Sequence, residues 1–543
     1  MEEQRNVKIE IAAVLFFSLL ISLSGLKEAL QIDEPFFLAV GFHILKAPLH
    51  PFNFSFNWYG QTVSYAKLNN TPPLFHYLLA LGLYFSKGKI WLLRALLIPF
   101  DLLSAFFLYL IAARFLKRPL WPTLIVLASP AYLINLPHLM PEKVMAVFSF
   151  LSLYALIRSF DEKNETWYWI SAFALNLALL SKYAALFLFF PALAYSLEHQ
   201  VPLRKMLRYF FISIFGLLLY FIYDRLTNRA ALTALSSVFA APSIALLPLY
   251  RTRSFFSFAG GLGVAATLWP SLFLKKNLKA QILCWAGAIL LFLPFFDTPH
   301  ALTPLFQRGM GITFSYLALT SFWELFSARA LKGWPFWMSW LFSASLLQFF
   351  LYWSIAARLF IFILPPLIFG LAEKMEILFE NNFKKIMIIS FLLTLSLTLV
   401  LREVDFAYAS SQKKFAEWVK TRYLDAGEKV WFTGHWGFQY YMEKAGAVEE
   451  NWPPQEMKTG DIFAVPAINT NLILPSYLTT KFKEVHEITI QNPFPFRLMG
   501  SSDIPNGAGF YSSVFGFLPY ALSSGPLDKF LVFQIQKTPK TVK

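Results

Sequence analysis

Two adjacent carboxylates, Asp33 and Glu34, follow the first apolar stretch of the chain and stand directly before Pro35. A carboxylate at a membrane surface can take a proton from an acceptor hydroxyl, which is general-base chemistry. Neighbouring helical residues point about 100° apart, so one carboxylate could act as the base while the other holds a cation or metal. These residues also suit a helix start, where Pro and negative charge are both favoured. The sequence leaves capping and catalysis open.

The composition indicates that membrane helices must position these carboxylates. Of the 543 residues, 57% are hydrophobic and 15% are charged, whereas soluble domains carry about 25% charged residues. Stretches such as Ile9 to Leu26 and Met387 to Leu401 hold about 15 to 20 nearly uncharged residues each, close to the length that crosses a bilayer. No small-residue cleavage site follows the first stretch, so we expect it to be retained as a span.

Basic residues between about thirteen predicted spans set their orientation. Arg5 and Lys8 beside the first span place the N-terminus in the cytoplasm. Residues 27–90 then form a long outer loop, in which Leu74 to Phe85 is expected to lie as an amphipathic helix at the interface. The net charge of +15 lies largely in short loops, so nucleic acid is not expected as a partner. The spans are expected near residues 9–26, 90–114, 119–136, 143–158, 167–181, 183–198, 208–226, 254–274, 280–296, 310–327, 334–352, 359–372 and 386–401.

The segment from Ala230 to Tyr250 decides the orientation of every later span. It is apolar but broken by Pro242 and Pro248. If it does not cross, most of the later Lys residues fall on the cytoplasmic side, which the positive-inside rule favours. We therefore expect no crossing, and an odd number of spans then places the C-terminus outside.

The composition changes at Arg402, where charges, Gly, Pro and polar residues return. Runs such as Lys429 to Thr433 and Asp461 to Val465 are typical of short strands. We predict a transmembrane domain over residues 1–401 and a small extracytoplasmic domain over residues 402–543. The fold class is thus an α-helical polytopic membrane protein with a C-terminal α/β domain.

This orientation brings several ionisable residues to the outer membrane face. They are Asp33, Glu34, Glu142, Lys143, Lys182 and Arg358. A Lys or Arg near the end of a span often only extends toward the headgroups. Lys182 lies between two apolar stretches, however, where burial without an anionic partner is unfavourable.

Several motifs in residues 1–372 resemble those of glycosyltransferase family 39, which contains protein O-mannosyltransferases and lipid A aminoarabinose transferases. Asp33-Glu34 after the first span and Pro72-Pro73-Leu74-Phe75 before Tyr77-Leu78-Leu79-Ala80 carry the likeness. It continues at Ser129-Pro130, His138 to Lys143, Leu179 to Tyr183, Ala357 to Phe360 and Leu364-Pro365-Pro366. Members usually have Asp where Glu142 stands and Tyr where Leu359 stands, so the chain departs from the family pattern at two positions.

The resemblance implies the C-type membrane glycosyltransferase fold and an inverting transfer from a polyprenyl-phosphate sugar donor to a lipid, glycan or protein acceptor. It implies catalytic roles for Asp33 and Glu34. The predicted donor-phosphate ligands are Lys182, Arg358 and Lys143, and Arg308 is a further candidate. Fixed cations there would stabilise the charge that grows on the leaving phosphate. Predicted neighbours of the acceptor or a metal are Glu142, His76 and His138.

Histidines on the outer side are candidates to bind a divalent metal ion together with Glu34 or Glu142. They are His43, His50, His76, His138 and His300. A lone His is more often only hydrogen-bonded, and no spacing here is typical of a metal site. A divalent ion is therefore a candidate cofactor without an assigned site. The single cysteine, Cys284, excludes internal disulfides and cysteine-based clusters.

Two other functions stay open from the sequence. A transporter or flippase of lipid-linked sugars would also have many spans, but it predicts ionisable residues deep within them and broken helices. A noncatalytic envelope-assembly protein would use the outer domain to bind partners. The aromatic run Gly434 to Tyr441 could stack on a sugar, although packing of the domain core is its more common use.

Overall fold

A computed structural model describes most of the chain. The described ranges are residues 2–58, 61–69, 71–227, 248–273, 277–293, 304–352, 354–450, 457–467, 482–499 and 507–536. Residues 230–247 and His300 lie outside them. The expectation that the 230–250 segment does not cross the membrane therefore stays a prediction.

Helices form most of the chain up to residue 424, as the apolar stretches predicted. The α-helices are α1 Glu2–Ser24, α2 Glu34–Ile44, α3 Tyr65–Leu68, α4 Leu74–Ser86, α5 Ile90–Phe115, α6 Leu120–Ala128, α7 Pro130–Leu133, α8 Pro141–Asp161, α9 Glu165–Ser181, α10 Phe189–Glu198, α11 Leu203–Thr227, α12 Pro248–Gly263, α13 Pro270–Phe273, α14 Leu278–Leu291, α15 Leu305–Ser327, α16 Trp334–Leu351, α17 Leu364–Leu378, α18 Phe383–Val419 and α19 Trp436–Ala445. Short 3-10 helices lie at Tyr183–Leu188, Val264–Leu268 and Ala357–Ile361.

The helices confirm that the chain is a multi-pass membrane protein. Each predicted span overlaps a helical segment, and 5 of the described helices are long and apolar enough to cross a membrane by length and composition. These segments are Val7–Ser24, Ile90–Phe115, Pro141–Asp161, Leu203–Thr227 and Phe383–Leu424. The total of about thirteen spans stays a prediction, because the other described helices are shorter or less apolar.

Local sequence explains where helices α8 and α9 begin and end. Pro141 stands at the start of α8, where its missing N–H is tolerated. Asn164 caps α9 by accepting a hydrogen bond from Thr166 N at 2.9 Å. At the other end of α9, Lys182 takes an extended backbone conformation (φ −162°, ψ 138°) before the 3-10 helix Tyr183–Leu188. The chain therefore enters α8 directly before Glu142 and leaves α9 at Lys182.

The longest helix, α18, joins the membrane part to the C-terminal domain. It has 37 residues and is about 55 Å long at 1.5 Å per residue, whereas the hydrocarbon core is about 30 Å thick. Its last turns bury Phe415 and Val419 in the core of the C-terminal domain. The domain boundary predicted at residue 402 thus falls inside a continuous helix, which connects the two parts without a linker.

A five-stranded mixed sheet forms the C-terminal domain, as the short strands predicted. The strands in the described ranges are β1 Ser55–Trp58, β2 Gln61–Ser64, β3 Val430–Phe432, β4 Val448–Glu449, β5 Ile462–Pro466, β6 Phe482–Ile490, β7 Phe496–Arg497, β8 Ala521–Leu522 and β9 Asp528–Ile535. The sheet order is β4-β3-β5-β9-β6, with β3 parallel to both neighbours and β9 antiparallel to both of its own. Phe438 of α19 stacks on Phe530 of β9 with ring centroids 5.8 Å apart. The aromatic run from residue 434 therefore supplies part of this core.

Backbone hydrogen bonds connect the last part of the chain to the segment before Arg358. Ala357 N donates to Phe510 O, and Ser513 N donates to Ile355 O, both at 2.8 Å. Ile355 N donates to Ser513 Oγ at 3.0 Å. Because these bonds lie directly before Arg358, the C-terminal segment fixes the position of this residue.

Helices α12 and α15 approach closely at Gly260, where an added Cβ would come 1.9 Å from the Phe314 carbonyl oxygen. We predict that Gly260→Ala lowers the melting temperature of the purified protein in detergent, because a backbone carbonyl cannot move aside as a flexible side chain does. Gly309→Ala in α15 is the matched control, since no described atom lies within 4 Å of its added Cβ. Equal melting temperatures for the two variants would contradict this close approach.

Candidate functional site

Four of the predicted residues form one chain of ion pairs. Arg358 Nη1 lies 2.7 Å from Asp33 Oδ2, and Arg358 Nε lies 3.2 Å from Glu142 Oε1. The same Glu142 oxygen accepts a hydrogen bond from Lys182 Nζ. Asp33 and Arg358 are 325 residues apart in the sequence. We call Asp33, Glu142, Lys182 and Arg358 the ion-pair cluster.

Each member of the cluster lies at a helix terminus or in a short 3-10 helix. Asp33 precedes α2, Glu142 is in the first turn of α8, and Lys182 follows α9. Arg358 belongs to the 3-10 helix Ala357–Ile361. Asp33 makes no side-chain capping bond to α2, so its carboxylate bonds Arg358 instead. The structure therefore does not show the side-chain cap that the sequence left open for Asp33, and a catalytic role for Asp33 stays a prediction.

The cluster is buried at one end and partly exposed at the other. Side-chain exposure is 2% for Glu142 and 6% for Lys182, but 20% for Arg358 and 25% for Asp33. Glu142 Oε2 is buried and has no hydrogen-bond partner among the described residues. A ligand that enters beside Asp33 would meet Arg358 first and could donate the missing hydrogen bond to Glu142.

The two cations of the cluster respond differently to burial. Burial lowers the pKa of Lys182, and the charge of Glu142 opposes this effect. Burial also acts against the charge of Arg358, but Glu142 and Asp33 outweigh it and raise the pKa above its ordinary value. Arg358 is therefore a permanent cation, whereas the charge of Lys182 depends on an anionic neighbour.

Glu34 does not contact the ion-pair cluster. Its wholly buried carboxylate pairs with Arg94, Nη2 to Oε1, at 2.8 Å. It also accepts backbone N–H bonds from Gln31 at 2.9 Å and from Leu139 at 2.8 Å. Proton transfer at this carboxylate would disrupt all three contacts, so the geometry favours a structural role for Glu34.

Lys143, predicted as a phosphate ligand, is also separate from the cluster. Its Nζ lies 2.6 and 2.8 Å from the two carboxylate oxygens of Asp101, and Ser22 Oγ donates to Asp101 Oδ2 at 2.8 Å. Lys143 and Asp101 are both buried. The three residues connect α8, α5 and α1, and a phosphate could reach Lys143 only by displacing Asp101.

His76 of α4 lies in an aromatic pocket rather than beside Glu142. Its Nε2 is 3.0 Å from Thr71 Oγ1. The ring packs against Phe37 and Phe52, with centroids 5.7 and 5.3 Å apart. Burial lowers the pKa of His76 to about 3, so this imidazole is neutral and part of the packing.

His138 belongs to a second buried polar network. Its Nε2 lies 3.2 Å from Glu28 Oε1 and 3.6 Å from Asp405 Oδ2. Gln31 Nε2 donates to the same two oxygens at 3.2 and 2.7 Å. Tyr511 Oη donates to Asp405 Oδ1 at 2.6 Å. This network connects the loop after α1, the turn before α8, helix α18 and the C-terminal segment.

Glu28, His138 and Asp405 have the residue types of a metal site, and one ligand atom of each lies within 4.8 Å of the others. The amide nitrogen of Gln31 lies among these atoms, however. Two arginine nitrogens also lie 3.5 and 3.9 Å from Glu28 Oε2. A metal ion would displace the amide and face two guanidinium charges, so this arrangement does not fit a metal ion.

Opposite charges set the protonation of the second network. Burial acts to raise the pKa of Glu28, but the hydrogen bond and charge of His138, together with Arg94 and Arg402, lower it to about 2. Burial acts to lower the pKa of His138, but Asp405 and Glu28 raise it to about 10. His138 is therefore a cation at neutral pH, which matches its two carboxylate neighbours.

The partners of the predicted residues were not predicted from the sequence. They are Glu28, Gln31, Arg94, Asp101, Asp405 and Tyr511. Arg94 and Asp101 interrupt the apolar helix α5, and ionisable residues in a membrane helix are a signal that could have identified them. Asp405 and Tyr511 carry no such signal, because they lie where the composition had already become polar.

Residues 70–223 match the family model described as dolichyl-phosphate-mannose-protein mannosyltransferase. This range contains the Pro-Pro-Leu element, Glu142 and Lys182. The match confirms, over this part of the chain, the resemblance predicted from the motifs. No curated protein matches the chain in sequence.

Two crystal structures are similar to the chain at low sequence identity. ArnT from Cupriavidus metallidurans bound to undecaprenyl phosphate is 12% identical with a TM-score of 0.44, over 88% of this chain and 96% of that one. The same organism's ArnT in the apo state is 12% identical with a TM-score of 0.37, over 86% and 93%.

The raised pKa of His138 predicts a pH dependence of stability. A group whose pKa rises on folding stabilises fully below its unfolded pKa and loses this contribution as the pH passes its folded value. We expect the melting temperature to fall between the ordinary pKa of 6.5 and about pH 10. The lowered pKa of Glu28 stabilises the fold fully above pH 4.5, its ordinary pKa. This contribution is lost as the pH falls toward about 2.

His138→Gln should remove the alkaline part of this dependence, measured by thermal melting of the purified protein from pH 6 to 10. The exposed His50 lies outside the network, so His50→Gln is the control and should keep the wild-type slope. A wild-type slope in His138→Gln would show that His138 does not carry the effect.

Proposed function

We propose that the chain is a membrane glycosyltransferase that moves a sugar from a polyprenyl-phosphate carrier to an acceptor at the extracytoplasmic face. The observation that carries the proposal is the ion-pair cluster, in which Arg358 joins the partly exposed Asp33 to the buried Glu142 and Lys182. One carboxylate is thus accessible to an acceptor, beside two cations that suit a phosphate. The family match over residues 70–223 supports a lipid-phosphate donor, because that family is described by mannose carried on dolichyl phosphate.

In this mechanism Asp33 accepts the proton of the acceptor hydroxyl, and the hydroxyl oxygen attacks the anomeric carbon of the sugar. The bond between that carbon and the phosphate oxygen breaks, and its electron pair stays on the phosphate. Lys182 and Arg358 stabilise the negative charge that develops there. Attack from the side opposite the leaving group inverts the anomeric configuration.

Glu142 organises the two cations before the donor arrives. Without a carboxylate between them, the positive charges of Lys182 and Arg358 would repel each other. The unpartnered Oε2 of Glu142 is placed to accept a hydrogen bond from a hydroxyl of the sugar or acceptor. Glu34 and Lys143, which have their own buried partners, support the loop and helix that carry Asp33 and Glu142.

We assign residues 1–401 to the transmembrane domain and residues 402–543 to an extracytoplasmic domain, with α18 passing through both. The charge pattern supports a cytoplasmic N-terminus and an outer cluster in the cell (inner) membrane. A lipid-linked donor is consistent with this side, because the membrane itself delivers the donor. The acceptor is a lipid, glycan or protein that presents a hydroxyl group.

Asp33→Asn should lower transfer by about 10²- to 10⁴-fold, the usual contribution of a general base. The measurement is mass spectrometry of envelope glycans in parent, deletion and complemented strains with equal protein levels. Asp425→Asn makes the same change at an exposed position and should restore the parental glycans. Full restoration of the parental glycans by Asp33→Asn would show that Asp33 is not the general base. Unchanged glycans in the deletion strain would contradict the proposed transferase activity.

Lys182→Gln and Arg358→Gln should each lower transfer by about 10²- to 10³-fold, as loss of one preorganised donor at a developing oxyanion does. Both should also weaken binding of undecaprenyl phosphate, measured by native mass spectrometry of the purified protein. Lys529→Gln is the control, since Lys529 pairs with Glu487 on the exposed C-terminal sheet. Wild-type binding of the lipid phosphate by both cluster variants would contradict their role as phosphate ligands.

A further inference from the structure

A groove between α9 and α11 combines two arginines with an apolar track. Its lining residues are Trp169, Arg204, Leu207, Arg208, Phe211 and Ile212. Arg204 and Arg208 are four residues apart on α11, so their side chains lie on the same helix face. Leu207 and Phe211 are 60% and 56% exposed, and Phe215, 46% exposed, continues the stripe along the helix.

The groove is held in shape by polar contacts between its two helices. Asn176 Nδ2 donates to Ile212 O at 2.7 Å, and Ser171 Oγ lies 2.8 Å from Tyr209 Oη. At Gly216, an added Cβ would come 2.4 Å from Asn176 Oδ1. Because these contacts fix the spacing of α9 and α11, the groove does not require a ligand to form.

Cations at the beginning of α11 and at the ends of α8 and α5 have carboxylate partners. The pairs are Lys205 with Glu165 at 2.5 Å, Arg158 with Glu162 at 2.7 Å and Arg114 with Asp161 at 3.2 Å. Within the part of the chain that the structure describes, Arg204 and Arg208 form no ion pair. Like charges one helical turn apart destabilise a helix, so an anion between them would stabilise α11.

We propose that this groove binds an anionic phospholipid. The headgroup phosphate lies between Arg204 and Arg208, whose planar guanidinium groups match phosphate oxygens. An acyl chain follows Leu207, Phe211 and Phe215 into the bilayer. Trp169 lies at headgroup depth, where aromatic side chains are favoured, and basic pockets between membrane helices bind anionic headgroups.

This lipid site is distinct from the ion-pair cluster. Trp169 lies in the first turns of α9, whereas Lys182 follows the last turn of the same helix. The helix has 17 residues and is therefore about 25 Å long. Occupancy of the groove can thus be measured without the sugar donor, and its test does not depend on the proposed transferase activity.

Native mass spectrometry of the detergent-purified protein, titrated with phosphatidylglycerol or phosphatidylcholine, tests the proposal. We expect the wild type to bind phosphatidylglycerol more tightly. Arg204→Gln/Arg208→Gln should weaken phosphatidylglycerol binding roughly 30-fold, as loss of two cations at a lipid surface would, and leave phosphatidylcholine binding unchanged. Arg225→Gln, at the other end of α11, is the matched charge control and should bind as the wild type.

Three results would overturn the proposal. Unchanged phosphatidylglycerol binding in the double variant would exclude the two arginines, and an equal loss in Arg225→Gln would indicate only a general charge effect. Competition by glycerol 3-phosphate at the same concentration as the lipid would indicate a site for free phosphate. If the double variant does not fold, Leu207→Asn/Phe211→Asn, which keeps both arginines, decides: wild-type lipid binding there would exclude the acyl track.

Discussion

Every charge buried away from water in this protein needs a partner, and this requirement organises the part of the chain around the ion-pair cluster. Buried or nearly buried pairs among the described residues include Arg94 with Glu34, Lys143 with Asp101, Lys182 with Glu142, and His138 with Glu28 and Asp405. Loss of one partner in such a pair costs about 3–5 kcal/mol, because the other charge stays buried alone. The loop after α1, the turn before α8 and the end of α9 are therefore held in one arrangement.

The need to pair buried charges applies to structural and to functional ion pairs alike. The two kinds differ in the solvent exposure of their side chains. Arg94 and Glu34 are 3% and 0% exposed and have their hydrogen bonds from fixed neighbours. Asp33 and Arg358 are partly exposed, and Glu142 beside them keeps one oxygen without a described partner. A substrate can form contacts only where a side chain is partly exposed or keeps a polar atom without a partner. This difference is why Asp33 and Glu34, adjacent in sequence, are expected to have different roles.

Much of this arrangement could be predicted from the sequence, because apolar stretches dictate the helices and charges between them stand out. Asp33, Glu142, Lys182 and Arg358 were identified in this way, and the structure brings them together. The pairing of Lys143 could not be predicted, since Lys143 looks like Lys182 in the sequence and differs only in its neighbour, Asp101. The same limit applies to the histidines, since burial keeps His76 neutral whereas Glu28 and Asp405 keep His138 charged. The continuous helix α18 was also not predicted, because the composition changes at residue 402 whereas the helix continues through this residue.

The C-terminal domain is part of the candidate site rather than an appended module. Phe510 O and Ser513 N bond the backbone of residues 355–357, and Tyr511 Oη bonds Asp405 of α18. The main-chain bonds fix the 3-10 helix that carries Arg358, whereas the side-chain bond fixes the network beside the loop of Asp33. Main-chain bonds tolerate changes of side chain, so Phe510 can vary while Arg358 keeps its position, whereas Tyr511 and Ser513 also bond through their side chains. The ion-pair cluster therefore depends on elements from both ends of the chain, and neither half alone would place Arg358 between Asp33 and Glu142.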